Sequence, residues 1–373
     1  MDLDSGLLSF HVVAKTSANA NITGTSTATL STAGLPALVS RVTLSANGVI
    51  LGDLDSYNIL HTLENHTEPR GRKRCLQKTE YYYNPDVFKN DTDKAQTVGV
   101  TVHMPLKLGI LMLNKAFPVG FITRGLTLDV YFGGIADAFS AVGTSTGQVG
   151  YLEITNVQYK VDLIKPSPDF HNNMIQWLDK GHGLSLPFSR TYHDIVMPSE
   201  NATSVTASIA TNFCQSLRHI VIVGRTASTM SSGDRYGAFS SLNIAEYQVK
   251  LGGNILPRQA PFKYGKTSQE SLARMLASGK NIDTVVDTET GEAPKNVDLW
   301  DASKGHFISV LLGTQEFGSG YDCRSIPDVK LTLTCASGSS FTQSDRFDIF
   351  YTCDEILTIS KAQVQVENQW LEN

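Results

Sequence analysis

Residues 41–51 read RVTLSANGVIL, and residues 246–256 read EYQVKLGGNIL. In each stretch apolar and polar residues alternate, break at a two-residue turn signal (Asn47-Gly48 or Gly252-Gly253) and then resume, which is the pattern of a β-hairpin. Gly48 and Gly253 stand 205 positions apart (253 − 48). Working outward, LTLDV (126–130) echoes VKLTL (329–333) at an offset of 203 (329 − 126), and YLEITNVQYKVDLI (151–164) echoes RFDIFYTCDEILTI (346–359) at a comparable spacing. Order and spacing that agree across three segments point to an internal duplication.

The rest of the chain fits two all-β units in tandem. LLSFHVVAK, LVSRVTLSA, TVGVTVHM, GLTLDVYFGG and YLEITNVQYKVDLI supply strands in the first half. SLRHIVIVGR, AEYQVKLGG, HFISVLLGT, DVKLTLTCAS and RFDIFYTCDEILTI supply them in the second. They are rich in β-branched residues and separated by Gly, Ser, Thr, Asn and Asp clusters, the signature of a sandwich or barrel.

Three short helices interrupt the strands. Asp53 or Asp55 is expected to cap a helix carrying Tyr57, Ile59, Leu60 and Leu63. A capping box from Thr267 to Glu270 opens a second one, with Leu272, Met275 and Leu276 on one stripe and a stop at Gly279. Between the halves, SPDFHNNMIQWLDKGHG places Pro168 in a first turn after Ser167 and spaces Phe170, Met174 and Trp177 on one stripe, expected to seat a joining helix against a barrel.

The 373 residues are 41% hydrophobic and 18% charged, an ordinary globular composition. With 31 Lys+Arg against 36 Asp+Glu the net charge is −5, so the bulk field does not attract nucleic acid and any such contact must be local. The N-terminal MDLDSGLLSF is acidic where a signal peptide is basic, and no apolar stretch reaches the ~18 residues of a membrane span. Five cysteines (75, 214, 323, 335, 353), an odd number without a CxxC pair, read as reduced, mostly buried thiols.

At SRVTLSANGVILGDLDSYNILHTL, MPLKLGIL with GLTLDVYFGG, ITNVQYKVDLIKPSPDF and IAEYQVKLGGNILPRQAPFKYGKTSQESLARML, the chain resembles the double jelly-roll major capsid proteins of tailless icosahedral double-stranded DNA viruses. These belong to large eukaryotic DNA viruses, virophages and polinton-like viruses, and include the adenoviral hexon. The resemblance implies an all-β fold of two tandem eight-stranded jelly-roll barrels with short inserted helices: residues 1–166, then 167–373 with the joining helix in 167–183.

It further implies a structural protein rather than an enzyme, a homotrimer with a hexagonal outline that tiles an icosahedral virion shell. Expected partners are neighbouring capsomers, penton and minor capsid proteins and an internal membrane, with no sequence-specific nucleic acid. The implied place is the virion capsid, assembled in the host cytoplasm or nucleus. Several such proteins carry an N-terminal extension before the first strand, whereas here strand signal starts within the first ten residues. Loops near 64–97, 133–150, 226–241 and 280–304 are expected to form trimer clamps and the outer surface, on barrels with few free edges.

No chemistry-bearing motif competes with this reading. KYGKT (263–267) ends like a phosphate loop, but Ala260 stands where the first glycine belongs. The nine histidines form neither an HxH pair nor HExxH, and His61 and His66 share a helix face poorly. Asp91 and Asp93 lack the glycine and distal glutamate of a calcium loop. Catalytic, cofactor and metal residues are therefore expected to be none. The basic run RGRKR (Arg70, Arg72, Lys73, Arg74) suits an exposed loop pairing with Glu68 and Glu80, or a contact to genome, lipid headgroups or an acidic neighbour. Sequons stand at Asn21, Asn65, Asn90 and Asn201. The competing reading, a tandem jelly-roll hydrolase or a glycan-binding module, needs clustered acids, histidine ligands or an aromatic face, for which Tyr81–Tyr83 is the sole hint.

Overall fold

The computed structural model describes residues 1–22, 29–68, 70–82, 84, 87–88, 98–113, 116–122, 125–139, 142, 148–210, 214, 216–226, 230, 236, 239–256, 260–264, 307–313, 317–323, 326, 328–360 and 364–367. The first half holds β1 (Asp2–Lys15), β2 (Val39–Ala46), β3 (Val49–Asp55), helices α1 (Tyr57–Thr67) and α2 (Arg70–Thr79), β4 (Val100–Met104), β5 (Leu126–Phe132) and β6 (Tyr151–Asp162). Helix α3 (Pro168–Asp179) joins it to the second half. There follow β7 (Leu184–Val196), β8 (Ser204–Ala210), β9 (Ser216–Arg225), β10 (Ile244–Leu251), β11 (Asn254–Leu256), β12 (Phe262–Lys263), β13 (Phe307–Leu311), β14 (Tyr321–Asp322), β15 (Asp328–Cys335), β16 (Arg346–Ile359) and β17 (Val364–Glu367).

The two hairpins quoted first are β2–β3 and β10–β11, each built on a two-residue loop between Ala46 and Val49 or between Leu251 and Asn254. Asn47 and Gly48 both take positive φ (52° and 83°), the requirement of a type I′ turn, whose twist matches that of the strands it joins. Around the hairpins the sheets repeat. In the first half the orders are β4-β1-β6 and β3-β2-β5; in the second, β13-β9-β16 and β11-β10-β15. The duplication is thus visible strand by strand, and all ten strand segments read from the sequence form strands.

Five strands have no counterpart among the described residues of the first half: the short β12, β14 and β17, and two long ones, β7, which pairs with β16 along thirteen positions, and β8, which pairs with β15 along seven. Among the described residues the first half contributes six strands, not the eight expected, and the outer edges of β5 and β6 carry no strand.

Alternation makes one face of each sheet apolar, and these faces meet in a continuous buried core spanning both halves, from Phe10, Val12, Val42 and Leu44 to Ile222, Val249, Leu331 and Ile349. The halves also touch directly. Arg190 donates to the Ile50 carbonyl at 3.5 Å, and the His66 and Phe239 rings meet edge to face with centroids 5.4 Å apart.

Several local expectations need correction. The residue at the N-terminal boundary of α1 is Ser56, in a left-handed conformation with no side-chain cap, because Asp53 stays in β3 and is held there by Arg41 (2.7 Å) and Thr43 (2.9 Å). The basic run is no loop. It lies in α2, with Lys73 buried and Arg72 3.5 Å from Glu68, while Glu80 turns inward to other partners. Residues 64–79 of the expected first loop are accordingly largely helical.

Cys214 and Cys353 form a disulfide, so the all-thiol reading fails. Residues 139 apart in sequence become neighbours once β16 pairs with β9, a proximity that spacing does not encode. Cys75 is an exposed thiol, whereas Cys323 and Cys335 are buried ones. The expected Thr267–Glu270 capping box with its Gly279 stop, the loop at 280–304, Asp91, Asp93, Asn90 and Tyr83 lie outside the described residues.

Candidate assembly surface

Three places concentrate polar or apolar chemistry: a buried ionic cluster in each half, and an apolar hollow at the joint. In the first half α1 and the chain after α2 bring His61, Asn65 and Glu80 together. Glu80 Oε2 accepts from Asn65 Nδ2 at 2.8 Å and lies 2.8 Å from His61 Nε2, and Lys107 Nζ donates to Asn65 Oδ1 at 2.9 Å. Burial opposes the charge on Glu80, but His61, Lys107 and Asn65 together outweigh it and hold the carboxyl below its usual range. His66 contacts the Tyr82 hydroxyl, and the Tyr57 hydroxyl accepts from the Lys107 amide at 2.8 Å. His61, His66 and Tyr82 are core residues, and Tyr81 is half-buried.

In the second half three acids lie within the otherwise apolar β16. Asp348 is bound by Arg225 (2.8 Å), Arg346 (2.6 Å) and His193 (2.9 Å), which overcome burial and depress its pKa. Asp354 receives Ser189, Ser216, Arg218 and the Gly318 amide. Glu355 accepts from the Tyr192 hydroxyl, yet burial dominates and raises its pKa. Nearly all these partners sit on β7 and β9, the strands flanking β16, so the acids tie strands together side chain by side chain. Among the described residues no three His, Cys, Asp or Glu side chains are grouped to hold a metal ion.

The joint differs. Ser167 caps α3 by accepting from the Phe170 amide at 3.3 Å, as the sequence predicts. The expected seating of Phe170, Met174 and Trp177 does not follow. Phe170 is 56% and Trp177 49% exposed, and only Leu178 of this helix is buried. The helix instead walls an apolar hollow of about 610 Å³ shared by Phe117, Phe121, Leu163, Phe170, Met174 and Leu186. Leu163 and Ile164, at the end of the strand β6, are 74% and 56% exposed beside it. Together with the hollow they form an apolar surface on which association can draw. The signal for this surface in the sequence is KVDLIKPSPDF, where two apolar residues follow the strand's last alternation.

Of the sequons, Asn21 and Asn201 are exposed, while Asn65 is fully buried within the Glu80 cluster and cannot carry a glycan. Lys263 of KYGKT sits on β12 and pairs with Glu246, while Gly265, Lys266 and Thr267 lie outside the described residues.

No protein-family model and no curated protein matches the chain. Solved structures do. PBCV-1 VP54, fitted into a reconstruction of the virophage Sputnik, matches with a TM-score of 0.61 at 9% identity over 97% of this chain and 89% of that one. The Sputnik virophage structure matches at 0.55 and 11% identity, over 98% and 82%. The Faustovirus major capsid protein matches at 0.55 and 11% identity, over 95% and 77%. Sheet orders repeated within one chain and likeness extending along nearly all of it lead to one conclusion: this chain has the fold of the double jelly-roll major capsid proteins.

Proposed function

We propose that the protein is a structural subunit of a viral capsid. The observation that carries this is the likeness to the capsid proteins along at least 95% of the chain, at both halves and the joint together. The units are residues 1–166 and 167–373, hinged on α3. Three chains set two such units each around a threefold axis, giving six similar bodies and a near-hexagonal outline suited to tiling an icosahedral shell with neighbouring capsomers. The mechanism is geometric, with no catalytic step. Charges are spent internally on strand-to-strand ties, and the exposed apolar residues at the joint are available for burial between subunits.

The test is size-exclusion chromatography with light scattering, followed by negative-stain microscopy. We expect a mass of about three times the 40.6 kDa chain and particles of hexagonal outline. A monodisperse monomer at micromolar concentration would overturn the reading.

A further inference from the structure

The apolar hollow at the joint is walled by three segments that the fold brings together: the chain entering the single 3-10 turn Val119–Phe121, the link 163–166 with the first turns of α3, and the start of β7 at residues 184–186. Phe117, Phe121, Met174 and Leu186 supply carbon, and Pro118 and Pro166 add backbone without an N–H donor. Leu163, Ile164 and Phe170, each more than half exposed, form the rim. The volume of about 610 Å³ falls within the ~300–1,000 Å³ of small-molecule sites, which join apolar walls to a few polar groups. Charge in this lining has one sign. Among the described residues no Asp or Glu lines the hollow, and its ionisable side chains are Lys165 and His171. Asp162 and Asp169, the acids nearest Lys165 in sequence, stand outside the lining. Lys165 is exposed and makes no salt bridge among the described residues, while the His171 ring stacks on Phe121 with centroids 5.5 Å apart.

We propose that the hollow binds a long-chain carboxylate, its alkyl chain against Phe117, Phe121, Met174 and Leu186 and its carboxylate at Lys165. Burial of methylenes supplies the affinity, and the ammonium, donating to the carboxylate, fixes which end of the ligand lies at the rim. Two other occupants fit less well. A bilayer calls for a broad face and a cluster of cations, whereas the hollow is concave, holds one lysine and belongs to a chain of net charge −5. A second copy can cover the exposed rim, but filling the recess takes a narrow apolar projection, which an alkyl chain provides. Because its walls come from the first half, the link and the second half, an occupant ties α3 to both. The proposal does not depend on the capsid reading.

Isothermal titration calorimetry of the 373-residue chain tests it, with octanoate, decanoate and dodecanoate below their micelle concentrations and decanol as the uncharged control. We expect one ligand per chain and an affinity rising about threefold to fourfold with each added methylene. Lys165→Gln should weaken decanoate about twofold to fivefold, the range of an exposed ion pair, and leave decanol unchanged. Met174→Trp, which fills the hollow, should abolish binding of both. Absence of saturable binding, an affinity independent of chain length, undiminished binding by folded Met174→Trp, or equal effects of Lys165→Gln on decanoate and decanol would overturn the proposal. Should Met174→Trp fail to fold, the Lys165→Gln comparison decides. Two further outcomes also overturn it: binding that fades as protein concentration rises, which makes a second copy the occupant, and retention by phosphatidylcholine–phosphatidylserine vesicles without binding of the free acids, which makes it a bilayer.

Discussion

The strands β6 and β16 hold the same place in their sheets and are bound very differently. β16 is paired on both sides, by β7 and β9, and most of its side chains are buried; among the described residues β6 is paired with β1 alone, and much of its length faces solvent. The second half thus flanks its β15 and β16 with further strands and adds buried ion pairs and a disulfide. The first half puts its polar interior into the α1–α2 insertion, and among the described residues β5 and β6 are paired on one side only. Duplicated sequence gives the same strands, but what surrounds a strand decides how firmly it is held.

The largest expected effect sharpens this contrast. The Cys214–Cys353 bond ties the link preceding β9 to the middle of β16, and in the chain-entropy description a loop of its 139-residue span is worth ~5 kcal/mol. Replacing both cysteines by alanine should lower the urea midpoint accordingly and speed exchange at β16 far more than at β6. Equal acceleration at both strands would mean that the continuous core couples the halves into one cooperative unit, breaking the comparison.

The carboxylate clusters come next. Glu80→Gln leaves His61 without its buried anion, and Asp348→Asn does the same to Arg225 and Arg346; breaking such pairs costs about 3 kcal/mol. The sign with pH follows from the direction of the shifts. Both carboxyls are held below their ordinary values of 4.5 and 3.8, so their contribution is present above those values and is lost as pH falls through the depressed folded pKa values. Glu355 is shifted upward and works in the opposite sense, its contribution fading as pH rises through its folded pKa. Urea midpoints measured from about pH 7 to about pH 3 should fall on acidification in the native chain and fall less in the Glu80→Gln, Asp348→Asn double variant. An unchanged slope would show that the two clusters do not govern acid stability.

Much of this architecture was legible in the sequence, and the omissions share a cause. Strands such as β9, β15 and β16 have neighbours on both sides, so they need near-continuous or alternating apolar residues, and they stand out. The long strands missed, LSLPFSRTYHDIV and SVTASIA, lie at sheet edges, where Pro187 is tolerated and small or polar residues suffice. The duplication was readable because it shows in the central strands, whereas the unequal number of edge strands was not. Pairings that only the fold creates, Cys214 with Cys353 or Glu80 with His61 and Asn65, leave no local trace. The acids of β16 did leave one: charges within an apolar strand need buried partners.

The smallest prediction returns to the two hairpins. They align in sequence, but their turns differ. Asn47 and Gly48 both have positive φ, whereas in the second copy Gly252 (φ 58°) does and Gly253 does not. A Cβ added at Gly48 or at Gly253 meets nothing within 4 Å, so sterics with neighbours are equal and only backbone conformation separates the two sites. Placing an L residue in the left-handed region costs ~1–2 kcal/mol, while replacing a glycine whose backbone is already permissive restricts the unfolded chain and stabilises by about 0.4–1 kcal/mol. Gly48→Ala should therefore lower the melting temperature slightly and Gly253→Ala should leave it unchanged or raise it. If both variants lost stability equally, the two copies would be closed by the same turn, and the difference between the halves would begin only at their edges.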